Sequence, residues 1–194
     1  MKTTHWTQKR TFTIAIAVLG LVIILFVMTW NVAKYETHLA SGDIVLLPLA
    51  PIDPRGFMQG DYMTLSYALE RDILDAREQT REQNRNLTQT NDGYVIVALD
   101  KHNVGHFVRL ADSYETNTLA ANEKAIYYRL RNGSVKLATN AFFFQEGHAE
   151  AFEAATYGLF RVNDKGDPLL TNLVNETFDV IDPKELSKAQ VDNQ

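Results

Sequence analysis

The stretch Phe12–Trp30 holds 19 residues without a charge. As a helix it is about 28 Å long at about 1.5 Å per residue, close to the roughly 30 Å hydrocarbon core of a bilayer. A helix that is apolar all round needs lipid or a large protein core around it. The rest of a 194-residue chain is small for the second role. Trp6 precedes the run and Trp30 ends it, as interfacial aromatics do. Lys2, Lys9 and Arg10 lie before it, and only Lys34 follows closely. The positive-inside rule then predicts a cytoplasmic N-terminus, residues 1–11, and a transmembrane anchor, residues 12–32. It places everything from residue 33 outside the cytoplasmic membrane, as a periplasmic or extracytoplasmic domain over 33–181 with a polar tail at 182–194. The competing reading is a cleaved signal peptide. Its apolar core is usually shorter, and no clear small-x-small cleavage site follows Trp30.

Charge sharpens this division. Residues 1–33 carry three basic residues and no acidic ones, which leaves 16 basic against 24 acidic residues beyond them, a net of −8. Such a domain argues against nucleic acid as a partner, because that binding rests on phosphate neutralisation by Lys and Arg. The chain has no cysteine, so neither a disulfide scaffold nor a cysteine metal site is available.

Beyond the anchor, Ile44–Leu49 reads as a first strand ending at Pro51. Pro51-Ile52-Asp53-Pro54-Arg55-Gly56 is turn chemistry: Pro54 fixes its own φ and holds Asp53 extended. After Gly60, Met63, Leu65, Tyr67 and Leu69 alternate with Tyr62, Thr64, Ser66 and Ala68, which predicts a second strand over 62–69. Asp53, Arg55 and Asp61 share this corner. Their plainest role is local, with the acids bonding turn amides and Arg55 neutralising them. A binding corner is the sharper role, with Arg55 as a planar donor to a carboxylate. A carboxylate pair for acid–base work lacks any third group to complete it.

Glu70–Arg85 reads as a thin amphipathic helix, with Leu69, Ile73 and Ala76 at helical spacing. A polar loop, Asn86–Gly93, follows. Tyr94–Leu99 and His106–Leu110 predict a hairpin. Glu123–Leu130 and Val135–Leu137 flank Asn132-Gly133, a favoured two-residue turn. Phe142–Phe144 predicts a short strand and Gln145–Thr156 a short helix, with Glu146 in its first turn. Tyr157–Val162, a turn at Asn163–Gly166, Leu169–Val174 and a last strand over Phe178–Ile181 complete the reading. The expected fold is α+β and β-rich: about eight strands, antiparallel or mixed, barrel- or sandwich-like, with two short helices.

Gly60-Asp61-Tyr62, two residues, Leu65, one residue, Tyr67 resembles the signature of the GDYXXLXY domain family of membrane-anchored bacterial proteins. Pro51–Arg55 is similar to that family's lead-in to the signature. Phe143-Phe144-Gln145-Glu146-Gly147 with Glu153 resembles its aromatic–glutamate–glycine segment, although Gln145 stands where a proline is usual and Phe143-Phe144 where a tyrosine–phenylalanine pair is. Tyr157–Val162 with Asp164-Lys165-Gly166 resembles its closing hairpin. The resemblance implies a membrane-anchored extracytoplasmic protein, often linked to multi-pass membrane proteins; it implies no mechanism. Asp53, Arg55, Phe57, Asp61, Tyr62 and Tyr67 are therefore the candidate binding corner, and Glu146 and Glu153 mark a second segment.

No cofactor or metal is expected. His102 and His106 are four apart, but Asn103 and Gly105 place them on a turn rather than on a helix that would align them on one ion. Glu146, His148, Glu150 and Glu153 read as a solvated helix face, with a shared hard cation between Glu146 and Glu150 as the alternative. Asn86-Leu87-Thr88 and Asn175-Glu176-Thr177 match the glycosylation pattern and are discounted in the bacterial setting that the resemblance implies. The anchor, proline loop and Gly-Asp turn are also similar in layout to signal peptidase I. That family needs a serine in the loop, and no Ser, Thr or Cys lies between Ile52 and Gly60; Ser66 falls after the turn, which leaves Lys136 nothing to activate. The leading expectation is a non-enzymatic accessory or scaffold protein that docks on an integral membrane partner. The others are an envelope sensor or binding module for a small ligand or carbohydrate, and a hydrolase without the loop nucleophile.

Overall fold

The computed structural model describes residues 4–50, 62–83, 91–114, 118–145 and 148–182. Packing divides the chain into two units, Met1–Ala40 and Ser41–Gln194.

The first unit is helical. Helix α1 spans Thr4–Ser41, so it begins before the expected anchor and continues nine residues beyond its end at residue 32. Its segment Phe12–Ser41 is long and apolar enough to cross a membrane, and none of its most apolar window is buried. The few polar side chains turn back on the helix. Thr29 Oγ1, Asn31 Nδ2 and Thr37 Oγ1 donate to the carbonyls of Leu25, Val27 and Ala33, four residues earlier. Each bond satisfies a hydroxyl or amide donor within the helix itself.

The second unit is α+β and β-rich. Among the described residues it holds nine strands: β1 (Asp43–Pro48), β2 (Tyr62–Thr64), β3 (Asp92–Leu99), β4 (Gly105–Ala111), β5 (Glu123–Arg131), β6 (Ser134–Lys136), β7 (Ala141–Phe143), β8 (Tyr157–Val162) and β9 (Pro168–Val174). They form three antiparallel sheets, ordered β1-β8-β9, β2-β7 and β4-β3-β5-β6. Helix α2 (Ala68–Gln83) and a 3-10 helix (Ala149–Ala154) complete it.

All three sheets and α2 contribute to one apolar core, which includes Val45, Leu47, Leu65, Tyr67, Ile73, Val95, Ile126, Phe160 and Leu173. The unbroken apolar run of β1 has a simple cause. Val45 and Leu47 face this core, while Leu46 lies in a smaller cluster with Val104 and Val174 on the other side of the strand. A strand covered on both faces has no polar side to alternate with.

Two turns join the sheets. The β3–β4 turn reaches β1, where Leu46 N donates to Asn103 O at 2.8 Å. Asp100 shapes that turn: its Oδ1 accepts from the amides of His102 and Val104 at 2.8 and 2.9 Å. The Val104 amide, then that of His102, hold its pKa below the ordinary carboxylate value. Asn103 takes a left-handed φ of 62°, which Asn tolerates better than most residues. The β8–β9 turn reaches β5, where Tyr127 N donates to Gly166 O at 2.8 Å. Asn163 Oδ1 accepts from the amides of Lys165 and Asp167 and holds this turn in shape. A bulge opposite Ile96/Val97 interrupts edge strand β4, and such bulges discourage edge-to-edge pairing.

Four expectations need correction. The strand expected over 62–69 ends at Thr64, because α2 starts at Ala68 and takes Leu69 into its first turn. Of the helix expected over 145–156, the described residues form six residues of 3-10 geometry at Ala149–Ala154. The last strand, expected over Phe178–Ile181, is an isolated bridge between Val174 and Val180; Asn175 Oδ1 accepts from the amides of Thr177 and Asp179 and curls the chain there. Of the two short helices expected, only α2 is α-helical. The β3–β4, β5–β6 and β8–β9 hairpins stand as expected, and Asn132 and Gly133 adopt φ of 52° and 76°, as a two-residue I′ turn requires.

Gly166 is the position where the turn tolerates least change. Its φ is +79°, and a Cβ there would lie 2.8 Å from the Ala125 carbonyl oxygen. Gly166→Ala is expected to destabilise the protein by about 1–3 kcal/mol from backbone strain, with the clash adding to that. Chemical denaturation in detergent measures it; an unchanged midpoint would show that the β8–β9 turn does not bind the two sheets together.

Candidate functional site

The signature region forms a corner where β2, β7, the end of β1 and the start of α2 meet. Tyr62, Met63 and Thr64 pair with Phe143, Phe142 and Ala141. Leu65 N donates to Asn140 O at 2.7 Å and Ala50 N to Ser66 O at 2.8 Å, and Tyr67 bridges to Leu49.

Alternation survives beyond the end of the strand: Met63, Leu65 and Tyr67 are all buried. Tyr67 is 1% exposed. Its ring meets Phe160 edge-on at a centroid distance of 5.3 Å, a favourable aromatic geometry. It also lies against Gly158, where a Cβ would stand 3.0 Å from Tyr67 Cε1. The Tyr67 hydroxyl donates to Thr139 O at 3.3 Å. Burial, then the nearby Glu70 carboxylate, push its pKa far above the ordinary phenol value, so the group stays neutral.

Glu70 closes the corner. It is the third residue of α2 and reaches back so that Tyr67 N donates to its Oε1 at 3.3 Å. This is half of a capping box, with the helix dipole favouring an acid in the first turn. Asn140 Nδ2 donates to the same oxygen at 3.0 Å and to Leu65 O at 3.2 Å. One amide thus clips the signature strand to the helix that follows it. Partial burial raises the Glu70 pKa, against the amide of Tyr67, the Asn140 side chain and the charge of Lys136, which each lower it.

The outer side of the corner is aromatic. Tyr62 and Phe143 sit opposite each other on β2 and β7, with ring centroids 5.7 Å apart. Phe143 is 74% exposed and Tyr62 36%. Their strand neighbours turn inward, and Phe142 and Phe144 both pack on the buried Phe152 of the 3-10 helix. A packed inner layer therefore lies behind two exposed rings.

Of the expected corner residues, Tyr62 lies on this outer face and Tyr67 in the core. Tyr67 therefore acts on the corner from within and does not offer a surface. Asp53, Arg55, Phe57 and Asp61 lie outside the described residues, as do Glu146 and the tail from residue 183. Glu153 is exposed on the 3-10 helix and lines a shallow concavity with Asn175, Glu176 and Thr177. His102 and His106 take separate partners: His102 stacks on Phe178 at 4.4 Å, and His106 Nε2 lies 3.6 Å from Asp100. Sequence reasoning missed Glu70, Asn140 and Gly158. The spacing of Glu70 three residues after Tyr67 is the capping signal that could have found the first; no local pattern marks the other two.

An apolar N-terminal helix followed by an antiparallel β-rich domain that buries Leu65 and Tyr67 of the signature defines the class of chain. A family model described as GDYXXLXY protein matches residues 24–173, and the chain belongs to the GDYXXLXY family. No curated protein and no solved structure matches it.

Two outcomes test the corner. Tyr67→Ala should cost about 3–5 kcal/mol of stability through the cavity it leaves, and Tyr67→Phe only about 0.5–1.5 kcal/mol for one hydrogen bond. Equal losses in denaturation would refute packing as the main role of the ring. Glu70→Gln keeps an acceptor for both donors but removes the charge. The raised carboxyl pKa means the folded state holds its proton more tightly, so wild-type stability from this group is present at low pH and lost as pH rises through the folded pKa. The variant's melting temperature should therefore gain on wild type between pH 4 and pH 7, and a constant difference would contradict the assignment.

Proposed function

We propose that this chain is a membrane-anchored accessory or scaffold protein, without catalysis of its own, whose extracytoplasmic domain docks on an integral membrane partner. The uncharged run Phe12–Trp30 within α1 and the basic residues before that run support an uncleaved anchor with its N-terminus in the cytoplasm. The observation that carries the docking reading is the Tyr62–Phe143 pair. Aromatic rings exposed on a rigid, well-packed base are the residues that anchor protein interfaces. Tyr62 belongs to the signature and Phe143 pairs with it, which fits a motif whose inner residues set the geometry of an outer contact.

In-cell photo-crosslinking from positions 62 and 143 in native membranes, with position 57 alongside and exposed position 153 as control, tests this. One abundant membrane-protein adduct from 62 and 143, absent from 153, is expected. A folded domain that yields no protein adduct from either position refutes docking. The intact mass of the mature protein tests the anchor, since cleavage would remove α1.

A further inference from the structure

The second cationic region of the chain lies on the outer face of β5 and β6. Arg129 and Lys136 are directly opposite each other in that pair. Like charges facing across strands repel. Neither forms an ion pair with a described residue. The nearby carboxylates have closer partners: Asp92 accepts from both terminal nitrogens of Arg131 and feels the charge of Arg129 beyond them, Asp167 accepts from Asn163, and Glu70, whose pKa the charge of Lys136 lowers, accepts from Asn140. In a domain of net charge −8 beyond residue 33, two cations that face each other with no described carboxylate within ion-pair distance are the exception.

A groove begins at Arg129. It is open to solvent and offers about 410 Å³ between β5, the segment after β6 and the start of β9. Leu137, Ala138 and Leu170 make its lining apolar; Asp167 stands on the β9 wall. Thr139, also on the groove, receives the Tyr67 hydroxyl, and Leu170 lies beside Gly158, so the signature tyrosine braces the lining from behind.

The geometry points to a binding site for an amphiphile, an apolar chain ending in an oxyanion. The chain lies in the groove, and the carboxylate or phosphate sits between Arg129 and Lys136, relieving their repulsion. Arg129 supplies a planar fork and Lys136 a point charge. This site is separate from the Tyr62–Phe143 pair and stands or falls independently of docking.

The test uses the full chain in zwitterionic nanodiscs, with empty discs subtracted. Hexyl phosphate and hexanoate probe the two head groups; inorganic phosphate and hexyl glucoside probe head and chain alone. Saturable binding of one anionic amphiphile, about tenfold tighter than either control, is expected, with R129Q and K136Q each weakening it about tenfold at a melting temperature no lower than that of the wild type, since each variant removes the facing repulsion. Competition from phosphatidylglycerol placed in the disc would assign the ligand to the lipid pool, and undiminished binding to a soluble one. Equal binding of hexyl glucoside, no binding of either anionic amphiphile, or full affinity in the double variant overturns the site.

Discussion

The ring of Tyr67 fits between strands that are far apart in sequence. It packs on Phe160 and against Gly158 on β8, its hydroxyl donates to Thr139 O before β7, and the residue's backbone bridges to Leu49 after β1. Any larger residue at 158 would push on that ring, and any smaller one at 67 would leave a void in an interior packed as densely as a crystal. Two family-like segments, the signature and the closing hairpin, are thus two sides of one contact. Their shared presence in the sequence follows from packing before any function is considered.

Around that contact, polar chemistry is spent on joining elements. Asn140 ties the signature strand to α2, Asp100 shapes the turn that meets β1, and Asn163 shapes the turn that meets β5. Each of these side chains bonds backbone groups that would otherwise be left without partners where a strand or turn ends. Side-chain bonds of this kind let three small sheets share one core without a continuous ladder between them. The outer surface is then left to a few exceptions: the aromatic pair at positions 62 and 143, and the facing cations at 129 and 136.

Hairpins were legible because their signals are local. Asn132-Gly133 and Asn163–Gly166 announce turns whatever the rest of the chain does, and alternation on either side sets the strands. The corner was legible only in part. Period-two alternation marked Leu65 and Tyr67 as one face, and both are buried. It also extended the strand through Leu69, because Leu69 is buried for a different reason, as a helical residue of α2. The run at 178–181 looked like a strand from its residue types, yet the turn bonds of Asn175 leave it a single bridge.

By itself, the sequence determined the apolar helix, the charge division after residue 33, the hairpins and membership of the signature family. These rest on composition, period and turn chemistry, which act over a few residues. Only the tertiary structure decided that Tyr67 belongs to the core while Tyr62 faces outward with Phe143, that Glu70 and Asn140 close the corner, and that Arg129, opposite Lys136, borders a groove. Those facts depend on which strands become neighbours. That choice is made by the fit of side chains in a shared core, across separations that no local pattern encodes.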